Sequence, residues 1–179
     1  MVSVGDIAPA LVGQPVFGLP VELGAKQRHP VAVCFVRHLG SPFCRAALAQ
    51  LQARYAEFDV VGAQVLVITP SPFEVATDFV PRHQLLFPVI CDPDRAHFEA
   101  WGVGLDRSLL STVKTLALGG LPELADGLSY GQGRVDGDPR QLPAWFVVGP
   151  GGRLRFVRLG ASVTEGPPID AMLEAVCSA

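Results

Sequence analysis

The amino-acid sequence predicts an α/β domain, in which short strands alternate with helices around a largely parallel central sheet. Three observations carry this reading. Val31–Val36 (VAVCFV) is an uninterrupted apolar run, the pattern of a strand buried on both faces. Ala63–Thr69 (AQVLVIT) and Phe87–Cys91 (FPVIC) repeat the pattern, each reached through a segment of helical spacing. Ala144–Val148 (AWFVV) and Leu154–Leu159 (LRFVRL) flank Gly149-Pro150-Gly151-Gly152, which reads as a hairpin.

The connecting helices follow from the apolar positions. After Gly40-Ser41-Pro42, residues Leu48, Leu51, Tyr55 and Phe58 recur at helical spacing and define one buried face. Pro72 suits the first turn of a second helix that runs to about Pro81. Asp92-Pro93-Asp94 closes the third strand, and a short helix carrying Phe98 and Trp101 follows. Ile169, Met172, Leu173 and Val176 share one face of a final helix over Pro167–Val176. Residues 103–143 do not fit the alternation. Leu109, Leu110, Val113, Leu116, Leu118, Leu121, Leu124 and Leu128 are dense and roughly helical in spacing, and 129–141 is loop-like. This stretch reads as an insertion before the hairpin, either as extra cover for the core or as a lid, a ligand pocket or a homodimer face.

Composition narrows the functional classes. The 179 residues suit one domain over 1–179, and 49% hydrophobic against 17% charged residues excludes disorder. A net charge of −3 and a pI near 5.7 offer no footprint for nucleic acid. No apolar run approaches the roughly 18–20 residues that span a bilayer, and the opening Met1-Val2-Ser3-Val4-Gly5-Asp6 lacks a basic segment followed by an apolar one. The expectation is a soluble cytoplasmic protein with no membrane or nucleic-acid partner. Cys34, Cys44, Cys91 and Cys177 form neither a C-x-x-C pair nor a zinc-binding spacing, so no metal and no cofactor is expected. In a reducing compartment they are free thiols.

The chemistry concentrates in Arg37-His38-Leu39-Gly40-Ser41-Pro42-Phe43-Cys44-Arg45, between the buried strand and the first helix. A thiol in the first helical turn meets the positive end of the helix dipole and unpaired backbone N–H groups, and both favour thiolate. Arg37, His38 and Arg45 are candidates to add positive charge, although His38 reads equally as a hydrogen-bonded residue of the turn. Ser41, three residues before Cys44, could donate its hydroxyl proton to the thiolate or to a bound peroxide oxygen. Phe43, Trp145 and the Thr69-Pro70-Ser71 loop could wall a small apolar pocket, or simply pack. Cys91 ends a strand at the same sheet edge, so it is either a resolving thiol or a buried strand-end residue. Cys177 is a more remote resolving candidate, and Cys34 lies inside the buried strand.

The order β-α-β-α-β-α-insertion-β-β-α resembles the thioredoxin fold with peroxiredoxin-type additions. Val4-Gly5-Asp6-Ile7-Ala8-Pro9 looks like the opening strand of alkyl hydroperoxide reductase/thiol-specific antioxidant (AhpC/TSA) proteins. FVRHLGSPFCRAALAQL, FPVICDPDRAHFEAWGV and GDPRQLPAWFVVGPGGRLRFVRLG are similar to the same group. Within it, the nearest branch is the one related to selenoprotein U and prostamide/prostaglandin F synthase. That branch carries C-x-x-C or selenocysteine-x-x-C at this turn, whereas here Ser41 takes the first position. A dithiol–disulfide cycle within the motif is then impossible. Peroxiredoxins use Pro-x-x-x-Thr/Ser-x-x-Cys, and the resemblance makes Cys44 the residue that attacks peroxide, with Ser41 at the Thr/Ser position and Arg37 where the proline would be. They also place an arginine before the strand corresponding to Ala144–Val148. Pro143 stands there instead, as a cis-proline facing the cysteine does in thioredoxins, so the arginine's role would pass to Arg37, Arg45 or Arg140.

Three functions compete on this reading. One is a peroxiredoxin-like thiol peroxidase, in which Cys44 reduces a hydroperoxide and an external thiol restores it. Another is a binding or regulatory module that kept the groove and lost the chemistry. The third is a specialised enzyme acting on a small organic molecule under the insertion.

Overall fold

The computed structural model describes residues 2–106, 131, 133, 134 and 136–178. Strands β1 (Leu11–Gly13) and β2 (Val21–Leu23) form a small antiparallel pair. The main sheet comprises β3 (Val31–Phe35), β4 (Gln64–Thr69), β5 (Val89–Cys91), β6 (Ala144–Val148) and β7 (Leu154–Leu159), in the spatial order β5-β4-β3-β6-β7. Strands β3, β4 and β5 run parallel, while β6 and β7 are antiparallel to their neighbours, so the sheet is mixed as expected. The helices are α1 (Pro42–Ala53), α2 (Tyr55–Val60), α3 (Phe73–Arg82), α4 (Ala96–Ala100) and α5 (Ile169–Cys177). No helix among the described residues is long and apolar enough to cross a membrane.

Strand β3 sits at the centre, and alternation of its side chains splits the core in two. Ala32 and Cys34, with Val65, Val67, Trp145 and Val147, face one cluster closed by Leu48 and Leu51 of α1, Phe79 of α3 and Met172 of α5. Val31, Val33 and Phe35, with Leu66, Ile68, Phe146 and Val148, face the other, closed by Phe98 and Trp101. There Phe35 meets Phe98 at 4.9 Å and Phe146 at 5.7 Å, both edge to face. Such ring pairs add about 0.5–1.5 kcal/mol each beyond the area they bury.

Two local expectations are corrected. The helix read continuously from Pro42 to Phe58 breaks at Arg54 (φ −109°, ψ 11°), and α2 leaves in a new direction that buries Phe58. Arg54 spans the break, bonding Glu57 at 2.7 and 2.6 Å and Asp170 of α5 at 2.7 Å. Val4–Pro9 is not a strand. It reaches the start of β7 through one bridge, Ile7 to Arg153, because Gly5 adopts φ +93° and Pro9 lacks an N–H to extend a ladder. The leucine-rich part of the 103–143 insertion lies outside the described residues. Of its described residues, Gly133, Arg134 and those from Asp136 to Pro139 are irregular, and Gly133 and Asp136 bond the turn after β3.

Candidate active site

The site grows from the carboxyl end of β3, the central strand. Where its apolar run ends, Arg37–Gly40 turn the chain and Pro42 starts α1. A proline is well placed there, since its fixed φ suits a helix start and its missing N–H would have had no intrahelical partner. Cys44 is therefore the third residue of α1, in the turn where backbone N–H groups point outward. It is 5% exposed, so only small molecules reach the sulfur. Among the described residues, no acceptor takes the N–H of Phe43 or Cys44.

Ser41 occupies the N-cap position but does not cap the helix. A serine there ordinarily accepts from an N–H of the first turn. Instead its Oγ accepts from Arg37 Nη2 at 2.7 Å, and Arg37 Nη1 donates to the carbonyl of Pro139 at 2.8 Å. Ser41 and Arg37 are 1% and 9% exposed.

The turn is pinned from two sides. On one, Leu39 N–H donates to Ser71 Oγ (2.9 Å), which also accepts from Thr69 Oγ1 (3.1 Å). On the other lies the stretch just before β6: Gly133 N–H donates to the carbonyl of Gly40 (3.0 Å) and Gly40 N–H to Asp136 Oδ1 (3.4 Å). At Gly40 a Cβ would collide with the backbone carbonyl of Arg134, so the close approach of the two segments requires glycine. Sequence reasoning missed Asp136, which has no motif around it, and the structural part of Ser71, which it treated only as a loop neighbour.

Of the two readings of His38, the structure takes that of a turn residue: it is buried, and burial followed by repulsion from Arg37 holds its imidazole below the usual range, against the opposing pull of Asp136. Its Nδ1 lies 3.0 Å from Asp136 Oδ1, an ion-pair distance without the alignment of a good hydrogen bond. The neutral imidazole thus packs in the turn. Because the folded protein resists a proton that the unfolded chain accepts near pH 6.5, stability falls as pH drops through and below that value. We expect the melting temperature of His38→Gln to fall less between pH 7 and 5 than that of wild type, in thermal scans at matched ionic strength; parallel curves would refute this.

The other candidates separate clearly. Arg45 Nε donates to the Leu39 carbonyl at 3.0 Å and its guanidinium lies 5.5 Å from the centre of the Phe79 ring, so it braces the turn. Arg140 is exposed and doubly bonded to Asp138 (3.1 and 2.9 Å), which removes it from consideration. Pro143 is buried at the start of β6, where its carbonyl accepts from Gly160 N–H (2.9 Å). No peptide bond among the described residues is cis, so Pro143 follows a trans bond. Thr69 and Trp145, expected as pocket walls, are fully buried packing residues, whereas Phe43 is half-exposed.

The remaining thiols differ from Cys44. Burial pushes Cys34 far above the ordinary thiol range. Cys91 is half-buried, and burial together with the negative charges of Glu74 and Asp136 raises it to about 11, so it is a protonated, weak nucleophile at neutral pH. Cys177 is exposed at the end of α5. All four are free, and no group of three or more His, Cys, Asp or Glu among the described residues is placed to hold a metal.

Known proteins resemble this chain. Thioredoxin-like protein AAED1, chloroplastic, of Arabidopsis thaliana is 28% identical over 167 residues, covering 89% of this chain and 66% of that one. The chain thus spans slightly less than two thirds of that relative. Among solved structures, peroxidoxin BcpB from Mycobacterium tuberculosis superposes with a TM-score of 0.69 at 16% identity, covering 98% of this chain and 96% of that one. Xanthomonas campestris peroxiredoxin Q gives 0.68 at 20% identity, covering 94% and 90%. These likenesses establish the thioredoxin-like, peroxiredoxin-type fold. The AhpC/TSA family itself matches from residue 4 to residue 157, through the helix that carries Cys44 and into β7, and the chain belongs to that family.

Proposed function

We propose that the protein is a thiol-dependent peroxidase working through one cysteine, Cys44, with an external thiol as reductant. The observation that carries this reading is the placement of Cys44 in the first turn of α1, beside two unclaimed N–H groups and a serine turned away from capping. That its structural neighbours include a peroxidoxin and a peroxiredoxin supports it. The Ser41-x-x-Cys44 turn reads as a descendant of the C-x-x-C turn in the branch related to selenoprotein U, with the first thiol lost.

The chemistry balances without a metal. Cys44 thiolate attacks the terminal oxygen of R–O–OH, an S–O bond forms and the O–O bond breaks. The alkoxide leaves and takes up a proton, and Cys44 becomes a sulfenic acid, oxidised by two electrons. A first external thiol displaces water to give a mixed disulfide. A second releases Cys44 as thiol and departs in an external disulfide. Because Cys91 is half-buried and protonated, the external route is favoured over an internal disulfide.

After mild hydrogen peroxide, the intact mass of the wild type is expected to gain one or two oxygen atoms, and Cys44→Ser to gain none. Cys91→Ser should turn over hydrogen peroxide with dithiothreitol at the wild-type rate. Loss of two hydrogens in the wild type, absent in Cys91→Ser, would replace the single-cysteine cycle with a resolving disulfide. No oxygen adduct at all would leave a binding module as the better reading.

A further inference from the structure

We infer that Arg37 is the positioning residue of this site: it turns Ser41 so that the serine hydroxyl donates toward the sulfur of Cys44 and the peroxide oxygens. The inference rests on the peroxidase reading and names the cation that serves it. Three arginines are candidates, Arg37 and Arg45 at the turn and Arg140 ahead of β6, and the structure commits two of them elsewhere. Arg140 is on the surface with Asp138, and Arg45 braces Leu39 and Phe79. Arg37 alone bonds a residue of the Ser41–Cys44 motif through its side chain.

The electrostatics of Arg37 are unusual for a buried arginine. Charged side chains are rarely buried unless an opposite charge accompanies them. Arg37 is 9% exposed, yet among the described residues no carboxylate lies within ion-pair distance of its guanidinium. Its bonds go to a hydroxyl and a carbonyl, both neutral, and its Nε is buried with no partner. Desolvation of the guanidinium is therefore only partly offset, which is the condition under which an anion next to it is strongly stabilised. In the proposed cycle the oxyanion leaving the peroxide is the anion to be stabilised.

Ser41 connects the two. A hydroxyl carries one proton and two lone pairs. Arg37 Nη2 donates to Ser41 Oγ at 2.7 Å, and no acceptor among the described residues takes the Ser41 proton. The proton is thus free to point at an acceptor three residues on, and the guanidinium polarises the O–H that carries it. The carbonyl of Pro139 holds the other arm of the fork at 2.8 Å, which fixes the guanidinium in place. Lysine keeps the charge but lacks the planar fork that fits both acceptors in this geometry.

The test is a double-mutant cycle with Arg37→Gln, Arg37→Lys, Ser41→Ala and Arg37→Gln/Ser41→Ala. It is read as kcat/KM for hydrogen peroxide with dithiothreitol, with Cys44→Ser as background and melting temperatures for folding. Removing one donor from a preorganised oxyanion site costs about 10²–10³-fold. We therefore expect R37Q to lose on the order of 10²-fold, R37K to recover part of the loss, and the double variant to fall no more than about threefold below the weaker single one. Independent, multiplying losses would show that Arg37 does not act through Ser41 and would overturn the inference. So would an R37Q activity within about twofold of wild type while wild type clearly exceeds Cys44→Ser. A wild type no faster than Cys44→Ser removes the peroxidase reading and the inference with it, a result distinct from the other two. Should R37Q fail to fold, R37K with Ser41→Ala completes the same cycle.

Discussion

A Cys44→Ala variant is expected to consume hydrogen peroxide at the rate of buffer and dithiothreitol alone while remaining folded. The proposed cycle has no second nucleophile to fall back on. Cys34 is sealed inside β3, Cys91 is held protonated, and Cys177 is at the far end of the chain on α5. Loss of the attacking sulfur therefore removes the whole enzymatic rate, whereas loss of a supporting group removes a factor. The structural cost is small. Cys44 packs in the cluster with Leu39 and Leu48, and removing one buried sulfur costs about 1 kcal/mol, or some 2–4 °C for a domain of this size. Peroxide consumption and differential scanning measured on one preparation separate the two effects. A variant that retains more than a tenth of the wild-type rate would contradict the assignment of Cys44.

Gly40→Ala is expected to have the second largest effect, on stability and activity together. The new methyl would sit on the backbone carbonyl of Arg134, and neither segment can yield easily. Gly40 is tied to Gly133 and to Asp136, and its neighbours Leu39 and Ser41 are held by Ser71 and Arg37. Forced overpacking of this kind costs about 1–3 kcal/mol. Relief requires the 133–139 stretch to lift, which removes the Pro139 carbonyl from Arg37. Peroxidase activity is therefore expected to fall by at least tenfold even at a temperature where the variant is fully folded. A Gly62→Ala control, at a glycine with nothing within 4 Å of the added methyl but a φ of +70°, should lose stability alone. Equal activity in Gly40→Ala and wild type would show that the stretch before β6 does not support the site.

Sequence alone made β3, the β6–β7 hairpin and the start of α1 legible, because each depends on neighbours in the chain. VAVCFV has no polar position to expose, so it had to be central. Gly149–Gly152 between two apolar runs had to turn. Arg37 and Ser41 were candidates for the same reason, and their bond joins residues four positions apart. The rest depended on contacts that no motif marks. The choice between the two readings of His38 is made by burial and by Asp136, about a hundred positions away. Arg140 looked like a substitute arginine until Asp138 claimed it. The break at Arg54 was hidden because Tyr55 and Phe58 keep helical spacing on either side of it.

The order of strands in the sheet bears on how the chain acquires this site. Strands β3, β4 and β5 are joined by the crossovers that carry α1, α2 and α3, but β6 occupies the flank of β3 only after more than fifty intervening residues. Arg37 and Pro139 are 102 positions apart, and Gly40 and Asp136 are 96. Closing so long a loop carries an entropy cost that local contacts do not, and nothing rewards it until the last strands dock. A chain still emerging from the ribosome therefore holds Cys44 on a helix without the clamp that orients Arg37, and the apolar edge of β3 lies open beside it. On the proposed function, reactivity toward peroxide waits for this final docking step, and a nascent or partly unfolded copy exposes a sticky strand first.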